Sequence, residues 1–301
     1  MHDINMAHHH VVTQAEFQGC CLDCQKSLDI LKPHILGFHK KLSALSPEEI
    51  EALSPEDLYQ LYMALDDIAH LNVGDHLAHS LLKDPEIAAV LPDIRHYYVR
   101  FFDLHEHHLA SAILAPSVED SVHAWNEVER FPLITRYRTL VKNHVNADSF
   151  RRDRPVIFLG CGSLPMTLIL LAKEHGVHGV GVDIDEDAVE YAAKCLEKLH
   201  LLSRVTVRLG SHETLSGILE TGPHDLLIAA MAEPKEPIFR EVRTLLETFR
   251  DTRVSYRTYT GIRAVLYAPF HPHGIAGFTP KEVVMPTGRV NNTTVFLEKT
   301  P

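Results

Sequence analysis

Apolar residues in the first half of the chain recur at steps of three and four, the period of a helix, whereas beyond residue 155 they gather into short runs. Leu58, Leu61, Tyr62, Leu65, Ile68 and Ala69 form one such stripe. Further stripes run through residues 97–113 and 128–145, with a proline-containing break at Ala115-Pro116-Ser117. Two helix starts are marked by Ser46-Pro47-Glu48-Glu49 and Ser54-Pro55-Glu56-Asp57. Each places serine at an N-cap, proline at the first helical position and acids in the first turn. Residues 1–150 are therefore expected to form an all-α N-terminal domain that caps the C-terminal half.

After the basic, loop-like Arg151-Arg152-Asp153-Arg154-Pro155 the pattern changes. β-rich runs at 156–160, 180–183, 205–209, 226–230, 254–258 and 293–297 alternate, through the first five, with helical segments such as 166–175, 188–200 and 237–249. That rhythm predicts an α/β fold with a parallel sheet. The expected fold is a Rossmann-like, class I methyltransferase-type domain over 151–301, with the boundary near residue 151.

Composition narrows the function. A chain of 301 residues, 45% hydrophobic and 23% charged, buries one large core or two modest ones. A formal charge of −11 argues against nucleic-acid partners, because phosphate contacts need clustered Lys and Arg. No run approaches the roughly 18–20 apolar residues that span a bilayer, and Met1-His2-Asp3-Ile4 lacks the apolar core of a signal peptide. The expectation is a cytoplasmic protein that works on small molecules, with no membrane partner. Five cysteines, at 20, 21, 24, 161 and 195, make a poor disulfide framework. Cys21-Leu22-Asp23-Cys24, with Cys20 and His8, His9 and His10, has ligand types suited to zinc, but no second pair follows. No metal site is expected, and residues 1–26 are expected to form a poorly ordered tail that catalysis can do without.

The segment that carries chemistry is Val156-Ile157-Phe158-Leu159-Gly160-Cys161-Gly162-Ser163-Leu164-Pro165-Met166-Thr167. A buried strand ends in G-x-G, and the helix behind it aims free N–H groups and a positive dipole end at the turn. Asp183, twenty-one residues beyond Gly162, ends the second strand, where an acid accepts hydrogen bonds from ribose hydroxyls. A dinucleotide fingerprint wants a third glycine where Pro165 stands, for the close helix–strand packing that accompanies a pyrophosphate site. A nucleoside with an amino-acid tail needs no pyrophosphate site, so S-adenosylmethionine is the expected co-substrate, held by Gly160, Gly162, Pro165, Thr167, Asp183 and Ile184. Asp185 is expected to cap the next helix, and Cys161 to fill space in the turn.

These residues resemble a known family. The turn from Gly160 to Thr167, the strand end Gly181-Val182-Asp183-Ile184-Asp185, the segment Phe131-Pro132-Leu133-Ile134-Thr135-Arg136-Tyr137-Arg138-Thr139-Leu140 and the late Gly261-Ile262-Arg263-Ala264-Val265-Leu266-Tyr267 look like nicotianamine synthase, over roughly residues 55–300. The likeness extends to bacterial relatives that make opine metallophores of the staphylopine and pseudopaline type. It implies transfer of the 3-amino-3-carboxypropyl (aminobutyrate) group of S-adenosylmethionine to an amine, with release of methylthioadenosine, in metallophore biosynthesis. The acceptor it suggests is a free amino acid such as histidine. The family's base is a glutamate on an N-terminal helix, assisted by a tyrosine, and Tyr137 matches the tyrosine. The helix that corresponds in this reading, His70-Leu71-Asn72-Val73-Gly74-Asp75-His76-Leu77-Ala78-His79, has no glutamate. Asp75, His76 or His79 are then the candidates for the base, with His105-Glu106-His107-His108 also open. Arg263 matches the family's arginine after the fifth strand and is the candidate partner for a substrate carboxylate. An ordinary methyltransferase is the rival reading. A non-catalytic metal-binding or S-adenosylmethionine-sensing protein, suggested by 22 histidines, is a third. A homodimer is left open.

Overall fold

The computed structural model describes residues 22–71, 73–271 and 277–300. Its first part is helical: α1 (Leu22–Leu42), α2 (Pro47–Glu51), α3 (Pro55–Ala69), α4 (Asp75–Lys83), α5 (Pro85–Ile113), α6 (Ser121–Arg130) and α7 (Ile134–Val145). Both Ser-Pro starts are real caps. Ser46 and Glu49 form a reciprocal capping box at α2, and Ser54 Oγ accepts from Asp57 N at 3.1 Å at α3. The stripe over 128–145 is two helices, not one. Phe131 is extended (φ −61, ψ 123) because Pro132 disfavours the helical region for the residue before it.

The second part contains β1 (Val156–Leu159), α8 (Met166–His175), β2 (Gly179–Asp183), α9 (Glu186–Lys198), β3 (Val205–Leu209), α10 (Leu215–Leu219), β4 (Asp225–Ile228), α11 (Lys235–Thr248), β5 (Arg253–Thr258), β6 (Phe278–Val284) and β7 (Thr293–Lys299). They form one seven-stranded sheet in the order β3-β2-β1-β4-β5-β7-β6. The parallel sheet expected from the first five runs is present, and two further strands make it mixed. β1 to β5 pair in parallel, but β7 runs antiparallel to both β5 and β6. The connection over 285–292 is too short and lacks the crossover helix that a parallel neighbour requires. The expected class, a helical N-terminal region before a methyltransferase-type Rossmann-like sheet, is what the chain adopts.

Apolar side chains cover both faces of the sheet. Under α10 and α11 lies a core that includes Ile157, Val182, Leu226, Phe239 and Tyr256. On the other face a larger core runs without interruption from Leu28 in α1 to Phe296 in β7. Polar ties cross the same seam. Trp125 Nε1 on α6 donates to Leu199 O at 3.3 Å, and Arg95 Nη2 on α5 donates to Ala264 O at 2.7 Å. Asp66, fully buried on α3, accepts from Arg136 Nη1 and Nη2 at 2.8 and 2.7 Å and from Asn291 Nδ2 at 2.8 Å.

Among the described residues, no helix is long and apolar enough to cross a membrane, and no cluster of three or more His, Cys, Asp or Glu is disposed to hold a metal ion. Cys20, Cys21 and the side chain of Cys24 lie outside the described residues, as does most of the tail over 1–26.

Candidate active site

A cleft of about 540 Å³ opens beyond the carboxyl ends of β1, β2 and β4, under a roof made by α5 and α7. This is where ligands bind in open α/β sheets, and the size lies within the roughly 300–1,000 Å³ usual for small-molecule sites. Its floor is the turn after β1. Gly160 (φ +78) and Gly162 (φ +70) adopt left-handed conformations that cost a side-chain-bearing residue free energy. A Cβ on Gly160 would also meet Ala232 Cβ at 3.0 Å. The free N–H of Gly162 donates to Asp183 Oδ2 at 2.8 Å, and Asp185 N donates to Oδ1 at 3.2 Å. Asp183 is therefore fixed at the end of β2 with lone pairs left to accept from a ligand. Asp185 also caps α9, accepting from Ala188 N at 3.2 Å. Cys161 is buried against the turn, and burial pushes its thiol far above the usual range, so it fills space rather than reacting.

The roof supplies a carboxyl group. Val99, Phe102, Asp103 and Glu106 occupy one face of α5 over the cleft. Tyr137 on α7 donates its hydroxyl to Glu106 Oε1 at 2.5 Å, while Oε2 lies 3.1 Å from where a Cβ on Gly162 would be. Phe102 and Phe131 enclose the Tyr137 ring, with centroids 6.0 and 6.2 Å away. Burial, with Asp103 and Asp183 adding in the same direction and the Tyr137 hydrogen bond opposing, raises the Glu106 carboxyl to about 8. Burial and the neighbouring Glu106 hold the Tyr137 phenol well above its ordinary value, so it stays a donor.

The far wall supplies a cation. Arg257 on β5 lines the cleft and donates from Nη1 to Thr167 Oγ1 at 2.9 Å, with its guanidinium carbon 5.3 Å from the centroid of the Phe158 ring. Burial pulls its guanidinium down to about 10, which leaves it charged at neutral pH.

Tyr137, Gly160, Gly162, Thr167, Asp183 and Ile184 are thus gathered around one cleft. Pro165 stands behind it as the residue preceding α8. Asp75, His76 and His79 lie elsewhere, on α4, which packs beside the turn Gly261–Val265. Arg263 is half-buried in that turn and donates from Nε to Val290 O at 3.2 Å. None of these four lines the cleft. Glu106, from the His105-Glu106-His107-His108 run, and Arg257 line it instead. A legible signal existed for Glu106: it interrupts an apolar stripe, four residues after Phe102 and three before Leu109.

Sheet order, turn and acid together define a Rossmann-like fold of the methyltransferase type. The family model for nicotianamine synthase protein matches residues 24–301, and the chain belongs to the nicotianamine synthase family. The L-histidine 2-aminobutanoyltransferase of Pseudomonas aeruginosa is 25% identical over 138 residues, 46% of this chain and 51% of that protein. The nicotianamine synthase of Solanum lycopersicum is 25% identical over 173 residues, 56% of this chain and 53% of that one. The chain spans about half the length of the curated relatives it matches. Among solved structures, MtNAS in complex with MTA and tNA superposes with a TM-score of 0.78 at 31% identity, over 94% of this chain and 100% of that one. A glutamate-to-glutamine variant of MtNAS in complex with S-adenosylmethionine gives 0.76 at 30%, over 94% and 100%.

Proposed function

We propose that this chain transfers the 3-amino-3-carboxypropyl group of S-adenosylmethionine to the amine of an amino acid, histidine first among candidates, and releases methylthioadenosine as a step in metallophore synthesis. The observation that carries this reading is the Glu106–Tyr137 pair suspended over the Gly162 turn, a carboxyl base facing the floor of a nucleoside site. A methylase of a strong nucleophile needs no such base, whereas an amino-acid amine enters largely as ammonium and attacks only after losing a proton.

The residues present fit the co-substrate. Asp183 has lone pairs for the ribose hydroxyls, the Gly160–Gly162 turn lets the nucleoside approach the backbone, and Asp103, Glu106, Asp183, Asp185 and Glu233 give the cleft an acidic lining suited to a sulfonium. Bound there, S-adenosylmethionine supplies a carbon made electrophilic by its positive sulfur. A sulfonium in this cleft favours the ionised form of Glu106, which then takes a proton from the acceptor ammonium while Tyr137 holds Oε1 in place. The amine lone pair forms the new N–C bond to the γ-carbon, and the C–S bond breaks with its electrons left on sulfur as a neutral thioether. Presenting the amine opposite the C–S bond to that carbon selects this product over methyl transfer.

The test is incubation of the purified chain with S-adenosylmethionine and single amino acids, followed by mass spectrometry. Methylthioadenosine accumulating in step with an adduct heavier by one aminobutyrate unit is expected. S-adenosylhomocysteine with a methylated product would replace this reading with the methyltransferase.

A further inference from the structure

Arg257 is a buried cation without an anion among the described residues. It is 5% exposed, and no described carboxylate forms an ion pair with it. A guanidinium carries five N–H donors. Nη1 has one partner, Thr167, but Nε and Nη2 are buried and make no hydrogen bond. These two free nitrogens share one edge of the planar group, the edge that takes a carboxylate side-on through two parallel hydrogen bonds. A charge withdrawn from water with donors unused is costly, and a site tolerates it where a ligand offsets the cost. Arg257 lines the same cleft as Gly162, Tyr137 and Glu106.

We propose that Arg257 is the carboxylate-binding residue of the cleft, receiving the α-carboxylate of a reacting amino-acid moiety on its Nε–Nη2 edge. The inference rests on reading the cleft as an S-adenosylmethionine site. Its consequence is selectivity. A cleft lined by Asp103, Glu106 and Asp183 alone would draw in any small polycation, whereas an acidic roof facing a lone guanidinium on the opposite wall selects a zwitterion and orients it. Two carboxylates have the required chemistry, that of the transferred group and that of the acceptor.

Calorimetry separates them. Wild type, Arg257→Met and Arg257→Gln are titrated with S-adenosylmethionine, decarboxylated S-adenosylmethionine and methylthioadenosine. They are then titrated, with methylthioadenosine saturating, with L-histidine and histamine. If Arg257 holds the transferred group, wild type binds S-adenosylmethionine at least tenfold tighter than its decarboxylated analogue. Both variants lose that preference while binding methylthioadenosine as wild type does. If it holds the acceptor, the preference for L-histidine over histamine is the one lost. Wild-type protein that binds the nucleosides but prefers neither carboxylated ligand overturns the inference alone, as do variants that keep the wild-type preference. Failure of wild type to bind any of the nucleosides overturns the S-adenosylmethionine reading and this inference with it.

Discussion

At the scale of the residue, Glu106 has its ionisation decided by its surroundings. A carboxyl raised by burial from 4.5 to about 8 is neutral in the folded protein across the range where the unfolded chain ionises it. The fold therefore binds the extra proton. The stabilisation from keeping Glu106 neutral is complete below about 4.5 and is lost as pH rises through about 8. Glu106→Gln removes the titration and keeps the shape. Its unfolding free energy should gain steadily on that of wild type from pH 5 to 8, by a few kcal/mol in all at about 1.4 kcal/mol for each tenfold difference in proton affinity between the folded and unfolded chain, and its thermal midpoint should rise relative to wild type accordingly. Parallel midpoints would mean that the carboxyl is already ionised. The same variant should lose about 10²-fold or more in turnover, the scale of general-base catalysis, while affinity for methylthioadenosine, which carries no sulfonium, stays within a few-fold. Turnover within twofold of wild type would remove Glu106 from the reaction. In the sequence the cofactor turn was legible because backbone chemistry forces glycine at a left-handed turn and an acid at the next strand end. Glu106 was legible only as one polar interruption of an apolar stripe, because a periodic pattern says which residues share a helix face but not which helix lies over the turn. Nor could it distinguish Arg263, spent on a backbone carbonyl, from Arg257 on the cleft wall.

At the scale of the element, α7 is set in position by a charge pair beneath it. Asp66 on α3 is opposed by burial, yet hydrogen bonds from His70, Arg136 and Asn291 hold its carboxyl down to about 2. Arg136 adjoins Tyr137 in α7, so the pair that anchors this helix also fixes the phenol at Glu106. Asp66→Asn keeps the volume but leaves Arg136 charged and unpaired, which should cost roughly 3–5 kcal/mol in urea unfolding. A loss below about 1 kcal/mol would mean that α7 is held by packing alone. The helices were the most legible elements, since the Ser-Pro caps and the apolar stripes act locally. β6 escaped notice because it is an edge strand with one neighbour, alternating in burial through polar positions such as Lys281 and Glu282 and carrying Pro280. The break at Phe131 was disguised because apolar residues continue across it at nearly helical spacing.

At the scale of the whole molecule, one core passes from α1 to β7, so the helical and sheet parts should unfold together. The single tryptophan reports on their seam, with its indole N–H bonded to Leu199 O and Lys173 4.6 Å above its ring. Trp125 fluorescence and far-ultraviolet dichroism should give coincident urea transitions, and methylthioadenosine should move both to higher urea. Separate midpoints would show two units that merely touch. The bond from Asn291 to Asp66 spans 225 residues and has a further consequence during synthesis. A ribosome delivers α3 and α7 long before the loop after β6, so Asp66 and Arg136 can meet while the Asn291 donor is still unmade. β5, too, keeps an open edge until residues 293–299 emerge to pair with it. The nascent chain therefore carries an unfinished polar centre and an uncovered strand at once, and both are closed by the same late stretch, which makes that stretch the latch of vectorial folding.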